Sequence, residues 1–86
     1  MQVSGVTEPD ITGQWTRNGS YLDFPRYTHP MGWWSIWNNV PAEQWWISET
    51  AGDVGLYGWK LVSPEIEGLY EPYGTATGDA TVTRVV

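Results

Sequence analysis

Residues 33–49 read Trp33-Trp34-Ser35-Ile36-Trp37-Asn38-Asn39-Val40-Pro41-Ala42-Glu43-Gln44-Trp45-Trp46-Ile47-Ser48-Glu49, two aromatic runs around a segment of turn-forming residues. Trp and Ile favour a pleated backbone and the Asn-Asn and Val-Pro steps favour reversal, so the stretch predicts a hairpin with strands over 33–37 and 45–49. Successive side chains of a strand point to opposite faces. Trp33, Ser35 and Trp37 therefore share one face, and Trp34 shares the other with Ile36. Both faces are apolar, so the strand is either central and covered on both sides or offers one face for binding.

The same pattern continues outward. A strand over 13–17 runs into Asn18-Gly19, a pair suited to the positive φ angles of a tight hairpin turn. Residues 21–28 form the next strand; Pro25 inside it cannot donate to a ladder, which predicts an edge or a bulge there. Residues 56–62 alternate, with Tyr57, Trp59 and Leu61 on one face and Leu56, Gly58, Lys60 and Val62 on the other. Residues 68–71 and 81–86 complete the set. Ten Gly and six Pro interrupt every stretch that could hold a helical repeat of apolar residues. The expected fold is all-β: one domain over residues 1–86, a small antiparallel β-meander, sandwich or barrel of about six to seven short strands.

A chain of 86 residues supports one core, and with no Cys it must find its stability in packing, in association or in both. Seven Trp, five Tyr and one Phe have to supply much of that core. Trp34, Trp46, Trp59 and Tyr70 are the expected core rings. The adjacent pairs Trp33-Trp34 and Trp45-Trp46 must diverge to opposite faces, which in a thin fold leaves one ring of each pair near the surface, where exposed Trp marks a sugar platform or a protein interface.

Ten acidic against four basic residues give a formal charge of −6, which disfavours nucleic acid as a partner. No apolar stretch is long enough to cross a bilayer as a helix, and residues 1–10 have neither a basic start nor an apolar run, so neither a membrane partner nor a signal peptide is expected. His29 lies between Thr28 and Pro30 without a Cys or second His to make a metal site or a nucleophile–base pair. Asp53, in Ala51-Gly52-Asp53-Val54-Gly55, offers one carboxylate where a hard cation needs several oxygens. Acid pairs such as Glu43 with Glu49 or Glu65 with Glu67 arise readily among ten acids, and so small a domain has little means of burying them in a cleft. The chain is therefore expected to be no enzyme, with no catalytic residue, no metal and no cofactor.

From Ile11 to Thr83, an ordered series of short motifs resembles a small aromatic module of tailed-phage virion proteins and of some bacterial proteins. The motifs are Gly13-Gln14-Trp15, Gly19-Ser20-Tyr21, Pro25-Arg26-Tyr27, Trp34-Ser35-Ile36-Trp37, Trp45-Trp46-Ile47-Ser48, Trp59, Ile66-Glu67-Gly68-Leu69-Tyr70 and Gly74-Thr75-Ala76-Thr77-Gly78. Similar modules often carry Asn-Gly before the proline segment, where this chain has Leu22-Asp23. The resemblance implies a setting rather than a site: a structural protein of a virus particle, made in the host cytoplasm, that decorates a capsid or forms part of a tail or fibre. Its expected partners are other virion proteins and copies of itself.

The residues expected at the interface are Trp33, Trp37, Trp45, Tyr57, Tyr73, Thr81, Thr83 and Val85. The last three lie in a threonine- and valine-rich segment suited to pairing with a neighbouring strand. The competing expectation is a carbohydrate-binding module that stacks glycans on surface Trp.

Overall fold

The computed structural model describes residues 1–39 and 43–84. Among them are nine strands and no helix: β1 (Gln2–Ser4), β2 (Gly13–Gln14), β3 (Thr16–Tyr21), β4 (Phe24–Thr28), β5 (Ser35–Asn39), β6 (Gln44–Ser48), β7 (Gly58–Val62), β8 (Gly68–Tyr73) and β9 (Ala80–Thr83). They form one antiparallel sheet in the order β2-β1-β9-β8-β7-β6-β5-β4-β3. The two ends of that order, β2 and β3, are consecutive pieces of one segment interrupted only by Trp15. The segment pairs with β1 at its start and with β4 further on, so the sheet curls into a nearly closed barrel. Backbone bonds from Trp15 N–H to the Met1 carbonyl (2.7 Å) and from the Met1 ammonium to the Trp15 carbonyl (3.1 Å) hold the seam at the bend.

The central hairpin forms, with Ile36 opposite Ile47 and Trp37 opposite Trp46, but its first strand lies two residues later than expected, at Ser35–Asn39, and leaves Trp33 and Trp34 in the preceding segment. β7 then fixes which face is interior by setting Trp59 opposite Ile47 and Leu61 opposite Trp45. The interior holds Trp15, Trp34, Ile36, Trp45, Ile47, Trp59, Ile66 and Tyr70, with Val3, Ala80 and Val82 from the far wall. Trp34 and Trp59 meet edge to face at 5.6 Å. Three interior indole N–H groups find main-chain acceptors: Trp59 donates to Gly78 (2.7 Å), Trp15 to Ile11 (3.0 Å) and Trp45 to Pro64 (3.4 Å). The Tyr70 hydroxyl likewise donates to Ile66 (2.6 Å).

The outer face carries a second aromatic row. Trp37 stacks on Trp46 with centroids 6.2 Å apart, Tyr21 meets Trp37 edge-on at 5.4 Å, and Tyr73 meets Trp46 edge-on at 5.3 Å. Lys60 Nζ lies 5.6 Å from the Trp46 ring centroid. Gly58 makes room for this row, because a β-carbon there would strike the Ile47 carbonyl and the Tyr73 ring. β5 is thus covered on both sides.

Several expectations are corrected. Trp45, not Trp46, is the core member of its pair; period two shows which residues share a face, and only the register with β7 decides which face is inside. The β3–β4 hairpin turns at Leu22-Asp23, whose φ angles of 50° and 69° place both in the left-handed region that a tight two-residue turn needs. Asn18-Gly19 sits instead inside β3, where the register shifts between Arg17 and Ser20, opposite the part of β4 that contains Pro25. The strand count exceeds the expected six to seven partly because Gln2–Ser4, too short to signal itself, forms β1. β1 pairs with β9 and supplies its second neighbour, so Thr81 and Thr83 lie on an interior strand between β1 and β8 and not on an edge. Residues 40–42 of the central hairpin's connection and Val85-Val86 of the expected last strand lie outside the described residues.

Candidate functional site

Because the strands alternate in direction, the segments 5–12, 29–34, 49–57 and 74–79 all gather at one end of the barrel. They touch in a closed ring. Glu8 and Thr77 exchange two backbone hydrogen bonds of 3.0 Å, joining the first segment to the fourth. Gly74, at φ +67°, packs so close to the Leu56 carbonyl that no side chain fits, joining the fourth to the third. The Tyr57 and Trp34 rings meet at 5.7 Å, joining the third to the second. His29 Nε2 donates to the Thr12 carbonyl (3.3 Å), closing the ring. The Met31 amide donates to His29 Nδ1 (3.1 Å), so both ring nitrogens of His29 are bonded, one within its own loop and one across to the next.

Each loop is also braced internally. His29 N–H donates to the Trp34 carbonyl (3.0 Å) and Gly32 N–H to the His29 carbonyl (2.7 Å), closing the turn that carries Met31 and Trp33. Asp10 Oδ1 accepts from the Thr12 amide (3.0 Å) and hydroxyl (2.6 Å); the hydroxyl bond above all, then the amide, holds its carboxyl below the usual Asp range. Asp53 Oδ1 accepts from Gly55 N–H (2.9 Å). The Tyr57 hydroxyl donates to Glu49 Oε1 (2.9 Å), and that bond raises the phenol's pKa, helped by burial and by the Glu49 charge. The Tyr73 hydroxyl donates to the Val54 carbonyl; burial, with a smaller push from Asp53, lifts its pKa to about 12.

These braced loops present apolar tips to water. Val6 is 94% exposed, Leu56 89%, Trp33 72% and Met31 68%. Isolated apolar residues on a surface are ordinary, but four on loops that touch one another make this end the candidate interaction surface. Five of the ten acidic residues (Glu8, Asp10, Glu49, Asp53 and Asp79) lie in the same four segments, and none of the four basic residues does. A shallow recess of about 250 Å³ is lined by Glu49, Thr50, Asp53, Gly55, Leu56 and Tyr57. Among the described residues no three His, Asp or Glu side chains converge as a metal site would require.

The residues singled out from the sequence separate. Trp33 and Tyr57 are at the loop end. Tyr73 is half-buried in the outer aromatic row, and its hydroxyl reaches the 49–57 loop. Trp37 (2% exposed) lies buried in that row against Tyr21 and Trp46, and Trp45 (3%) in the interior, so neither ring meets solvent. Thr81 and Thr83 belong to the wall of the barrel, and Val85 lies outside the described residues. Sequence reasoning missed Val6, Met31 and Leu56 as surface groups. Val6 and Met31 each stand beside a glycine without a periodic partner, whereas Leu56, beside Gly55, reads as the start of an alternating strand that in fact begins at Gly58. In comparisons with known proteins, no family model, curated protein or solved structure matches the chain.

Proposed function

We propose that this chain is a non-enzymatic structural module of a tailed-phage particle, a capsid decoration or a tail or fibre component, that attaches to a neighbouring virion protein through the loop end of its barrel. The observation that carries the reading is the set of four exposed apolar tips on loops that are already hydrogen-bonded in place. A surface organised before contact loses little conformational freedom on binding. The order of motifs from Ile11 to Thr83 supports the particle as the setting. The nearly closed sheet favours side-chain contacts over strand addition, because β9 already has neighbours on both sides. Copies of the chain then repeat wherever the neighbour repeats.

Particles prepared without the chain and then mixed with it test this reading. Saturable attachment, with a fixed number of copies per particle, is the expected result; wild-type protein that stays in solution contradicts it.

The recess beside Leu56 and Tyr57, with Glu49, Thr50 and Asp53 as polar anchors, favours a second reading as a carbohydrate-binding module. A glycan array decides it: binding lost on Tyr57→Ala supports the module, and an array at background removes it.

A further inference from the structure

The loop end pairs two properties that together restrict its partner. Its tips, Trp33, Met31, Leu56 and Val6, are of the kinds that fill the centre of protein interfaces, Trp and Met above all. The same four loops carry Glu8, Asp10, Glu49, Asp53 and Asp79, all exposed, and no Lys or Arg, while Arg17, Arg26, Lys60 and Arg84 are all placed elsewhere. A partner that seats the tips must also face this acidic frame.

A second copy of the chain docked loop end to loop end would bring two such frames together. In a two-fold contact the same patch meets itself, so like charges would be opposed around an apolar centre. The charge of the frame is not neutralised from within, for no ion pair reaches it among the described residues; the ion pair found there joins Arg84 to Glu67 at 3.6 Å, outside the four loops. Asp10 is held ionised by its Thr12 bonds.

Building on the assembly reading above, we infer that the loop end docks on a protein surface whose apolar recess is ringed by Lys and Arg, and not on a second copy of this chain. Trp33 and Leu56 are the anchors, and the carboxylates supply orientation and speed of encounter.

The probes are two amphipathic peptides with one Leu- and Trp-rich apolar face in common, the first with Lys and the second with Glu on the polar face. Amide NMR spectra of the full chain are expected to shift over residues 29–34 and 49–57 with the Lys peptide and not with the Glu peptide. Binding should weaken at least about tenfold at 0.5 M salt, where screening shrinks the reach of charges to a few Å. It should fall about as far in the double variant Trp33→Ser with Leu56→Ser, whose exposed sites leave the fold intact. Glu8→Gln with Asp79→Asn should weaken it about threefold, as the loss of two frame charges implies.

Equal shifts with both peptides, shifts centred on Val62 and Leu69 of the barrel flank, or binding that survives the double serine variant would overturn the inference. So would a dimer in sedimentation that disappears with Trp33→Ser. The particle experiment reports separately. Wild type that ignores the particle but binds the Lys peptide at these loops removes the phage setting and leaves the surface standing; attachment that is insensitive to salt and to Trp33 does the reverse.

Discussion

Trp33 and Trp34 are adjacent in sequence and belong to opposite regions of the molecule. Trp34 enters the barrel interior beside Trp59, whereas Trp33 stands in water on the turn closed by His29 and the Trp34 carbonyl. In the interior Trp15, Trp45, Trp59 and Tyr70 are enclosed and the polar atom of each is matched to a main-chain oxygen. At the loop end particular hydrogen bonds within and between loops hold the segments in place, and the apolar tips lack partners. Stability is therefore concentrated in the first region, and the second is braced by groups other than its exposed tips. The two should respond to different perturbations.

The largest expected effect is in the interior. Trp59→Ala should cost about 3–5 kcal/mol in denaturant unfolding, since it removes a buried ring together with its bond to Gly78. A loss below about 1 kcal/mol would mean that the interior is not what holds the fold. High pH reaches Tyr70 in the interior and Tyr73 in the outer aromatic row by another route. Burial raises the pKa of Tyr70 well above the ordinary phenol value, and that of Tyr73 to about 12. A raised phenol pKa contributes stability that is whole below the unfolded value near 10 and is lost as pH climbs through the folded one. Unfolding midpoints should thus hold up to about pH 10 and fall above it, and ultraviolet titration should show Tyr70 and Tyr73 ionising late.

A smaller contrast separates the interior from the outer aromatic row. Among the described residues Trp46 Nε1 is a buried donor without an acceptor, whereas Trp59 Nε1 has one. Trp59→Phe, which strands the Gly78 carbonyl, should cost about 1–3 kcal/mol, while Trp46→Phe discards an unmatched group and should shift stability by under about 1 kcal/mol. Equal losses in the two variants would erase the distinction. The smallest effect on folding belongs to the loop end, where Trp33→Ser together with Leu56→Ser should stay within about 0.5 kcal/mol of wild type. A larger loss would show that these tips are structural.

How far the sequence reveals this division differs by region. The all-β class, the central hairpin and the burial of Trp34, Trp59 and Tyr70 follow from alternation and from the absence of any helical repeat. The exchange of Trp45 for Trp46 does not, because alternation is symmetric between faces and the choice is made by a different strand, where Leu61 pairs with Trp45 and Trp59 with Ile47. β1 is three residues long and carries only Val3 as a strand former, yet it completes the barrel and removes the edge from β9. The turn at Leu22-Asp23 outcompetes Asn18-Gly19 because Arg17 opposite Tyr27 and Tyr21 opposite Phe24 set a register that only a reversal at 22–23 satisfies. The loop end was half legible. Trp33 stood out as a surplus ring, but Val6, Met31 and Leu56 join it only when alternating strands gather four distant loops.

Side-chain footprinting of the chain, free and assembled on its particle, tests the central claim most directly. Met31 and Trp33 should oxidise readily in the free protein and be strongly protected in the assembly, with Val62 and Leu69 on the barrel flank equally reactive in both states. Met31 and Trp33 that remain fully reactive on the particle, while Val62 and Leu69 become protected, would contradict the assignment of the loop end as the working surface.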